Sequence, residues 1–441
     1  MAALTAAPSW RRGLPSHLRA ALLLLLVTRP PESAAAASIA LPISHDPGSL
    51  AGDSLATSPD STRGFDIRGY GVVNYFAFDW DTDPGRRNKM DVERLTLYPS
   101  YRLNTRFRLD AEIEFEHGGT GVTLEFDPLE EFGEFEQEVE KGGEVLLEQL
   151  NVSVAFEPEI NLRVGRLKVP FGLQSVNDEP TEYFTTTRSE SESNIVPVNW
   201  YEDGLQLWGA LGERRPLVYV LSLVNGLDSS AFSSSSWVVR GNQKRFEQVN
   251  AEDLALAARL DYEPLEGARV GVSGYYGDSA DNRPKPDLQA DAHVGIVSGY
   301  GSFERGPLVV RGLVIYGHLE NADLVSTANR NLSNELNVKR TPVGSEAFGW
   351  YVEGGYDVLE LLARSHQQVV VFGRLDRYDT MAAVTGDVFD NPRWDRTVYT
   401  AGFNWLPIEE VVVKGQYAHR ELGTDTANDE DTFSLGIGFE F

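Results

Sequence analysis

The chain has 441 residues, 66 Asp and Glu against 39 Lys and Arg, a formal net charge of -27 and no cysteine. Such acidity argues against a nucleic-acid partner, since neutralising phosphates takes clustered Lys and Arg. The lack of Cys excludes disulfides, thiolate metal sites and a Cys nucleophile, and the length suits either two or three soluble domains or one large barrel.

In chain order, Arg11, Arg12 and Arg19 precede the apolar run 20–27, and the small-residue tract 33–40 follows. This order of basic, apolar and small residues marks 1–37 as a secretory signal peptide. The run is too short for a membrane helix, which needs roughly 20 apolar residues. Residues 38–63, rich in Ser, Asp, Gly and Pro, read as a flexible segment that buries little.

From Gly64 to Phe441 nearly every segment alternates Tyr, Phe, Val and Leu with polar residues, the period of a strand. Strands are expected at 64–79, 89–103, 105–117, 144–156, 159–172, 201–212, 216–225, 252–263, 267–277, 288–303, 307–318, 347–357, 366–378, 395–406, 409–420 and 431–441. No long amphipathic helix is evident. Turns near Asn104, Pro158, Arg214, Pro264, Gly306 and Pro407 are short, whereas 118–143, 173–200, 226–251, 319–346 and 379–394 are long. Alternation of short and long connections is the habit of an outer-membrane barrel, with both termini in the periplasm. The fold class expected is therefore an all-β transmembrane antiparallel barrel of about sixteen strands.

The strand faces agree. Phe107, Leu109, Ala111, Ile113 and Phe115 share one face, and Arg108, Asp110, Glu112, Glu114 and Glu116 the other. Tyr399, Ala401, Phe403 and Trp405 likewise oppose Thr400, Gly402 and Asn404. An Arg or Lys on the lipid face at mid-bilayer costs about 2–4 kcal/mol, so charge belongs inside, against a water-filled lumen. Trp80, Tyr101, Trp350, Tyr378 and Trp405 fit interfacial girdles or ordinary strand packing. The final strand places Phe433, Leu435, Ile437, Phe439 and Phe441 on one face, as a strand closing the barrel against the first would.

Several stretches carry a resemblance: 69–75 (GYGVVNY), 114–121, 147–180, 193–209, 223–226, 258–278 and 401–420, and most specifically Gly165–Gly172 with its Gly-Arg-x-x-x-Pro-Phe-Gly spacing. Together they resemble the outer-membrane porins grouped with the phosphate-selective porins O and P. The resemblance implies a sixteen-stranded, usually trimeric diffusion pore whose loop 173–200 folds toward the lumen. It also implies recognition of Phe441 by the barrel-assembly machinery. The arginine ladder and lysine cluster of phosphate-selective members are not traceable here. Inward candidates are mixed: Arg68, Arg94, Arg108, Arg163, Arg259, Arg374 and Lys414 against Asp66, Asp110, Glu112, Glu114, Glu353 and Asp376. The expected solutes are small hydrophilic molecules or ions, with anions such as phosphate one class among them.

In a pore, selectivity comes from the side chains at the narrowest point. Arg166 and Lys168, with Asn177, Asp178 and Glu179 of the adjoining loop, form the first candidate constriction. Simple alternation puts Arg166 and Lys168 on the lipid face, and one extra residue bulged at Gly165 would turn them inward; a polar extracellular rim is the equal alternative. Arg163, Arg259, Arg374, Asp376, Glu112, Glu114 and Lys414 form a second set, either a transverse field or wall-stabilising ion pairs.

Asp79, Asp81 and Asp83 have the spacing of a calcium loop, but Pro84 replaces its glycine and Met90 its terminal Glu, so a solvated acidic loop is the better reading. Acidic loops could also bridge divalent cations to lipopolysaccharide. No cofactor, resident metal or catalytic motif is expected; the seven His are scattered without metal-ligand spacing, and a barrel lipase or protease using His117, His318 and His419 near loops is the minor alternative. A non-conducting surface-binding or adhesion barrel is the alternative function, and a soluble propeller or sandwich the alternative fold.

Overall fold

The computed structural model describes residues 63–118, 123–131, 134–140, 143–174, 179–212, 217–243, 248–332, 340–362 and 367–441. The expected signal peptide, nearly all of the segment 38–63, and Asn177 and Asp178 lie outside these residues.

The strands are β1 (Gly64–Trp80), β2 (Lys89–Arg102), β3 (Phe107–Glu116), β4 (Thr123–Glu131), β5 (Glu134–Glu140), β6 (Glu144–Glu157), β7 (Ile160–Lys168), β8 (Tyr201–Leu211) and β9 (Leu217–Asn225). They continue as β10 (Leu254–Leu265), β11 (Ala268–Gly277), β12 (Val294–Arg305), β13 (Leu308–Leu319), β14 (Glu346–Asp357), β15 (Gln368–Ala383), β16 (Asp395–Ile408), β17 (Val411–Leu422) and β18 (Asp429–Glu440). Sixteen of them form one closed antiparallel barrel, with β3 beside β6 and β18 returning to β1. The hairpin β4–β5 is a separate two-stranded sheet inside a long connection, where no strand was expected. Two helices, α1 (Glu190–Ser193) and α2 (Ala322–Asn331), also lie in long connections. Helix α2 escapes a propensity reading because Ser, Thr and Asn supply much of it; its buried Ala322, Val325 and Ala328 hold it by packing.

Closure is carried by the last residue. The amides of Gly69 and Phe441 each donate to the other's carbonyl, at 3.0 and 2.9 Å. Opposite the terminal aromatics β1 presents glycines: a β-carbon at Gly71 would lie 2.5 Å from the Phe439 ring, and one at Gly69 2.8 Å from that of Phe441. Rings laid over facing glycines fill the groove that the missing side chains leave. A Gly71→Val chain is expected to lose about 1–3 kcal/mol through overpacking, visible as a smaller fraction in the compact, heat-modifiable form. An unchanged fraction would show that the seam tolerates displacement of Phe439.

The outward face is greasy all round the barrel: Leu256 is 61 % exposed, Val272 54 %, Val297 58 %, Val371 50 % and Ile437 44 %. Exposed side chains of this kind on every wall need a hydrocarbon surrounding. Two of the expected girdle aromatics turn the other way. Tyr378 is buried inside, donating from its hydroxyl to Glu190 Oε2 at 2.7 Å, and Trp80 lies 4.8 Å from the Arg420 guanidinium on the inner side. Each is drawn in by an inward polar or cationic partner that a lone strand pattern does not reveal.

The inner face is polar on only part of the wall. On β10 to β14, Ala255, Ala257, Tyr275, Ile296, Ile315 and Ala347 point inward into an apolar core shared with Trp200, Leu227, Phe232, Trp237 and Val325 of the long connections. The expectation of a polar lumen face on strand after strand fails there, because loops fold inside and need apolar surface to pack against.

Candidate functional site: the lumen and the loop that crosses it

In the connection after β7, the described residues 169–174 and 179–200 lie inside the barrel and are held along the inner wall from β10 to β18. Near its start, Arg259 Nη1 of β10 donates to the carbonyl of Gly172 at 2.5 Å, and the Gly172 amide donates to Ser273 Oγ at 3.1 Å. Farther on, wall cations take up its carbonyls in sequence. Arg311 Nη1 reaches the Glu182 oxygen at 2.6 Å, and Lys414 Nζ those of Tyr183 and Thr185 at 2.6 and 2.9 Å. Arg374 reaches Thr185 Oγ1 at 2.9 Å and the Arg188 carbonyl at 3.3 Å. The loop's amides meet wall acceptors: Thr186 N donates to Gln416 Oε1 at 2.8 Å, and the first amides of α1, Glu190 and Ser191, donate to the two Asp376 oxygens at 2.6 and 3.0 Å. Thr181 bonds to Glu440 and Thr186 Oγ1 to Ser434 Oγ, which carries the loop to β18.

This arrangement follows from the chemistry of an irregular segment inside a barrel. Its backbone has no ladder partner, so each amide and carbonyl needs a side chain or water. The long basic side chains of β10, β13, β15 and β17 reach those carbonyls. Their charges are also met by carboxylates: Arg259 by Asp261 at 2.6 Å, Arg311 by Glu353 at 2.6 Å, and Arg374 by Glu353 and Asp376 at 3.8 and 4.0 Å. Arg259, Arg374, Asp376 and Lys414 thus meet one inward-folded loop. Arg311, Arg420, Glu190 and Glu192 complete the set and were not among the sequence candidates. The alternation Val309, Arg311, Leu313 could have found Arg311; the loop carboxylates carry no periodic signal.

Glu190 sits outside the strands, in α1. Burial works against its ionisation, but the Arg420 guanidinium, 3.0 Å away, and the Tyr378 hydroxyl hold its carboxyl below the usual carboxylate value. A depressed folded value means that the stabilisation is present above the unfolded value and is lost as pH falls through the folded one. Acidification below the ordinary carboxylate range is therefore expected to loosen the 182–192 segment, read as protease sensitivity within it. A Glu190→Gln chain with the same acid profile would show that this carboxylate is not the group concerned.

The other sequence candidates lie on the opposite wall. Glu112 and Glu114 of β3 are fully buried, accepting from Tyr201 at 2.8 Å and from Thr96 at 2.9 Å. Arg163 of β7 donates to Ser153 at 3.0 Å and Gln206 at 3.2 Å. At Gly165 the backbone takes φ 135°, which favours glycine, yet pairing with β6 and β8 runs on without an inserted residue. The bulge expected there is absent. Arg166 is nevertheless buried, donating to the carbonyls of Glu148 at 3.2 Å and Gln243 at 3.5 Å, while Lys168 is half-buried 5.4 Å from the Tyr201 ring. Glu179 is half-buried in the crossing loop. The acidic connection after β1 is a turn in which Asp83 Oδ1 accepts from the Gly85 amide at 3.2 Å.

No family model matches the chain. A protein of Aquifex aeolicus (strain VF5), described as an uncharacterized protein, is 25 % identical over 396 residues, covering 89 % of this chain and 84 % of its own. Among solved structures, Salmonella typhi OmpF in complex with daunomycin superposes with a TM-score of 0.52 at 12 % identity, over 86 % of this chain and 98 % of its own. In-vitro folded OmpT, an outer membrane protein of Vibrio cholerae, gives 0.50 at 10 % identity, over 88 % and 100 %. The fold is thus a closed sixteen-strand barrel like those of these proteins, and its apolar exterior suits the bacterial outer membrane.

Proposed function

We propose that the protein is a passive diffusion channel for small hydrophilic solutes or ions, not an enzyme. The observation that carries this reading is a closed barrel with a greasy exterior, crossed inside by a charged loop tied to the far wall. A loop so placed narrows the lumen and sets the field within it. The resemblance to phosphate-selective porins O and P supports the same class and adds a trimer, with Phe441 serving the assembly machinery and acidic outer loops meeting lipopolysaccharide through divalent cations. Anion preference receives less support, because Arg259, Arg311 and Arg374 are occupied by carboxylates and loop carbonyls.

Planar-bilayer recording tests the reading: discrete conductance steps are expected, and reversal potentials in asymmetric KCl, then phosphate, give the preferred ion. A second reading, a non-conducting barrel that binds ligands at its surface, is favoured by one specific observation, the apolar loop core inside the wall. Reconstituted protein that passes no current would replace the first reading with the second.

A further inference from the structure

The two halves of the inner wall differ in kind. The buried apolar core draws on β9 to β16 and on the connections packed inside them, and includes no residue from β1 to β8, β17 or β18. Its centre is the stretch 227–238, with Leu227, Phe232, Trp237 and Val238. The side chain of Trp237 lies against Gly317 of β13 and donates to the Gly344 carbonyl at 2.9 Å, and Thr380 of β15 donates to the Ser234 carbonyl at 2.5 Å. Helix α2 closes the other side, with Asn329 Nδ2 donating to the Ser229 carbonyl at 3.0 Å and Asn329 Oδ1 accepting from Arg283 at 2.8 Å. Loop polar groups here are met by protein partners, as a water-free interior requires.

Across the barrel, the inward positions of β1 to β8 are mostly polar: Asn74, Thr96, Glu112, Glu114, Asn151 and Gln206 are buried beside Tyr70, Val72 and Tyr201, whereas Arg94, Arg108, Asp110 and Gln149 stay partly exposed. The hydrogen bonds traced above tie the crossing loop to the other wall. Asn151 is only 3 % exposed, and its Oδ1 accepts no hydrogen bond among the described residues. Buried oxygens of this kind occur on the other side too, Tyr351 Oη, Thr400 Oγ1 and Asn404 Oδ1 among them, so the asymmetry rests on the partly exposed polar groups and not on this one.

Resting on the channel reading, we infer that the lumen is divided lengthwise: a dry plug of loops fills the side against β9 to β15, and solutes pass only along the polar wall of β1 to β3 and β6 to β8. The side chains that discriminate between solutes are then the partly exposed Arg94, Arg108, Asp110 and Gln149, with Glu112, Glu114, Asn151 and Arg163 buried behind them. The basic residues of β13, β15 and β17 hold the loop and do not meet the solute.

The Cys-free chain allows a direct test by single-cysteine labelling of protein in liposomes with a small, water-soluble, cationic methanethiosulfonate, followed by intact mass and by conductance. Gln149 is inward, half-buried and donates to Glu112 at 2.6 Å; Asp110 lies on the same wall. Gln149→Cys and Asp110→Cys are expected to label fast, and the adduct at Gln149 to reduce the current. Ala257→Cys and Ala347→Cys, both in the core, are expected to label at least ~100-fold more slowly, because reaction waits on local opening. Equal rates at the two pairs, in variants that keep heat-modifiability, would overturn the division. So would a current blocked by the adduct at Ala257 and untouched by that at Gln149. A slow and a fast class with no current in any variant would uphold the division and remove the channel reading instead.

Discussion

Replacing Arg374 with leucine is expected to raise single-channel conductance and to lower the stability of the folded barrel. The guanidinium stands between wall and loop: it donates to Thr185 Oγ1 and the Arg188 carbonyl, and lies within 4.0 Å of both Glu353 and Asp376. Removing it strands part of a buried ionic network, a change that typically costs about 3–5 kcal/mol, and loosens the 185–188 stretch of the loop, which Asp376 and Tyr378 still tie to β15 at Glu190 and Ser191. A denaturant titration in detergent reads the first effect and a planar bilayer the second. Lys414→Met separates them. It removes the donor to Tyr183 and Thr185, and no carboxylate lies within salt-bridge reach of Lys414 among the described residues. The smaller cost of about 1–3 kcal/mol for unsatisfied carbonyls should then accompany a comparable rise in conductance. If both variants conduct as the parent does, the loop does not define the narrow point, whatever its hydrogen bonds.

How much of this was legible in the sequence depends on which forces wrote each feature. Period-two alternation and lipid outside specified strand number, closure and the inward face of β3, since a one-residue slip would turn Glu112 and Glu114 into hydrocarbon. Strand ends were less legible: β12 begins at Val294 and not near 288, because residues before it belong to a loop that packs inside. The interior loops were not legible at all beyond the family resemblance for 173–200. Their core residues in the connection after β9, such as Leu227, Phe232 and Trp237, are spaced by a tertiary surface and not by a helical or strand period. Arg374 and Lys414 face the interior, where they meet the loop, but alternation names a face without saying what waits there. A solute and a loop carbonyl make the same demand on a guanidinium, so their role as loop anchors appears only with the coordinates.

Trp237→Ala should produce the largest change in the plug. Its ring is fully buried between β13 and the 340s segment, and its backbone holds φ 43°, a left-handed conformation that costs a bulky residue about 1–3 kcal/mol and persists only when packing fixes it. Truncation removes that packing and the bond to Gly344, a loss of about 3–5 kcal/mol for a large aromatic side chain. The stretch 227–238 should then open, so that Ala257→Cys in the Trp237→Ala background becomes reactive. Gly317→Val approaches the same outcome from the wall, because a β-carbon there overlaps the Trp237 ring and must displace it. Agreement between the two variants would identify the Trp237–Gly317 contact as what keeps the plug seated. If Gly317→Val left both labelling and stability unchanged, the ring could relocate without loss, and the plug would owe its closure to the helix α2 side instead.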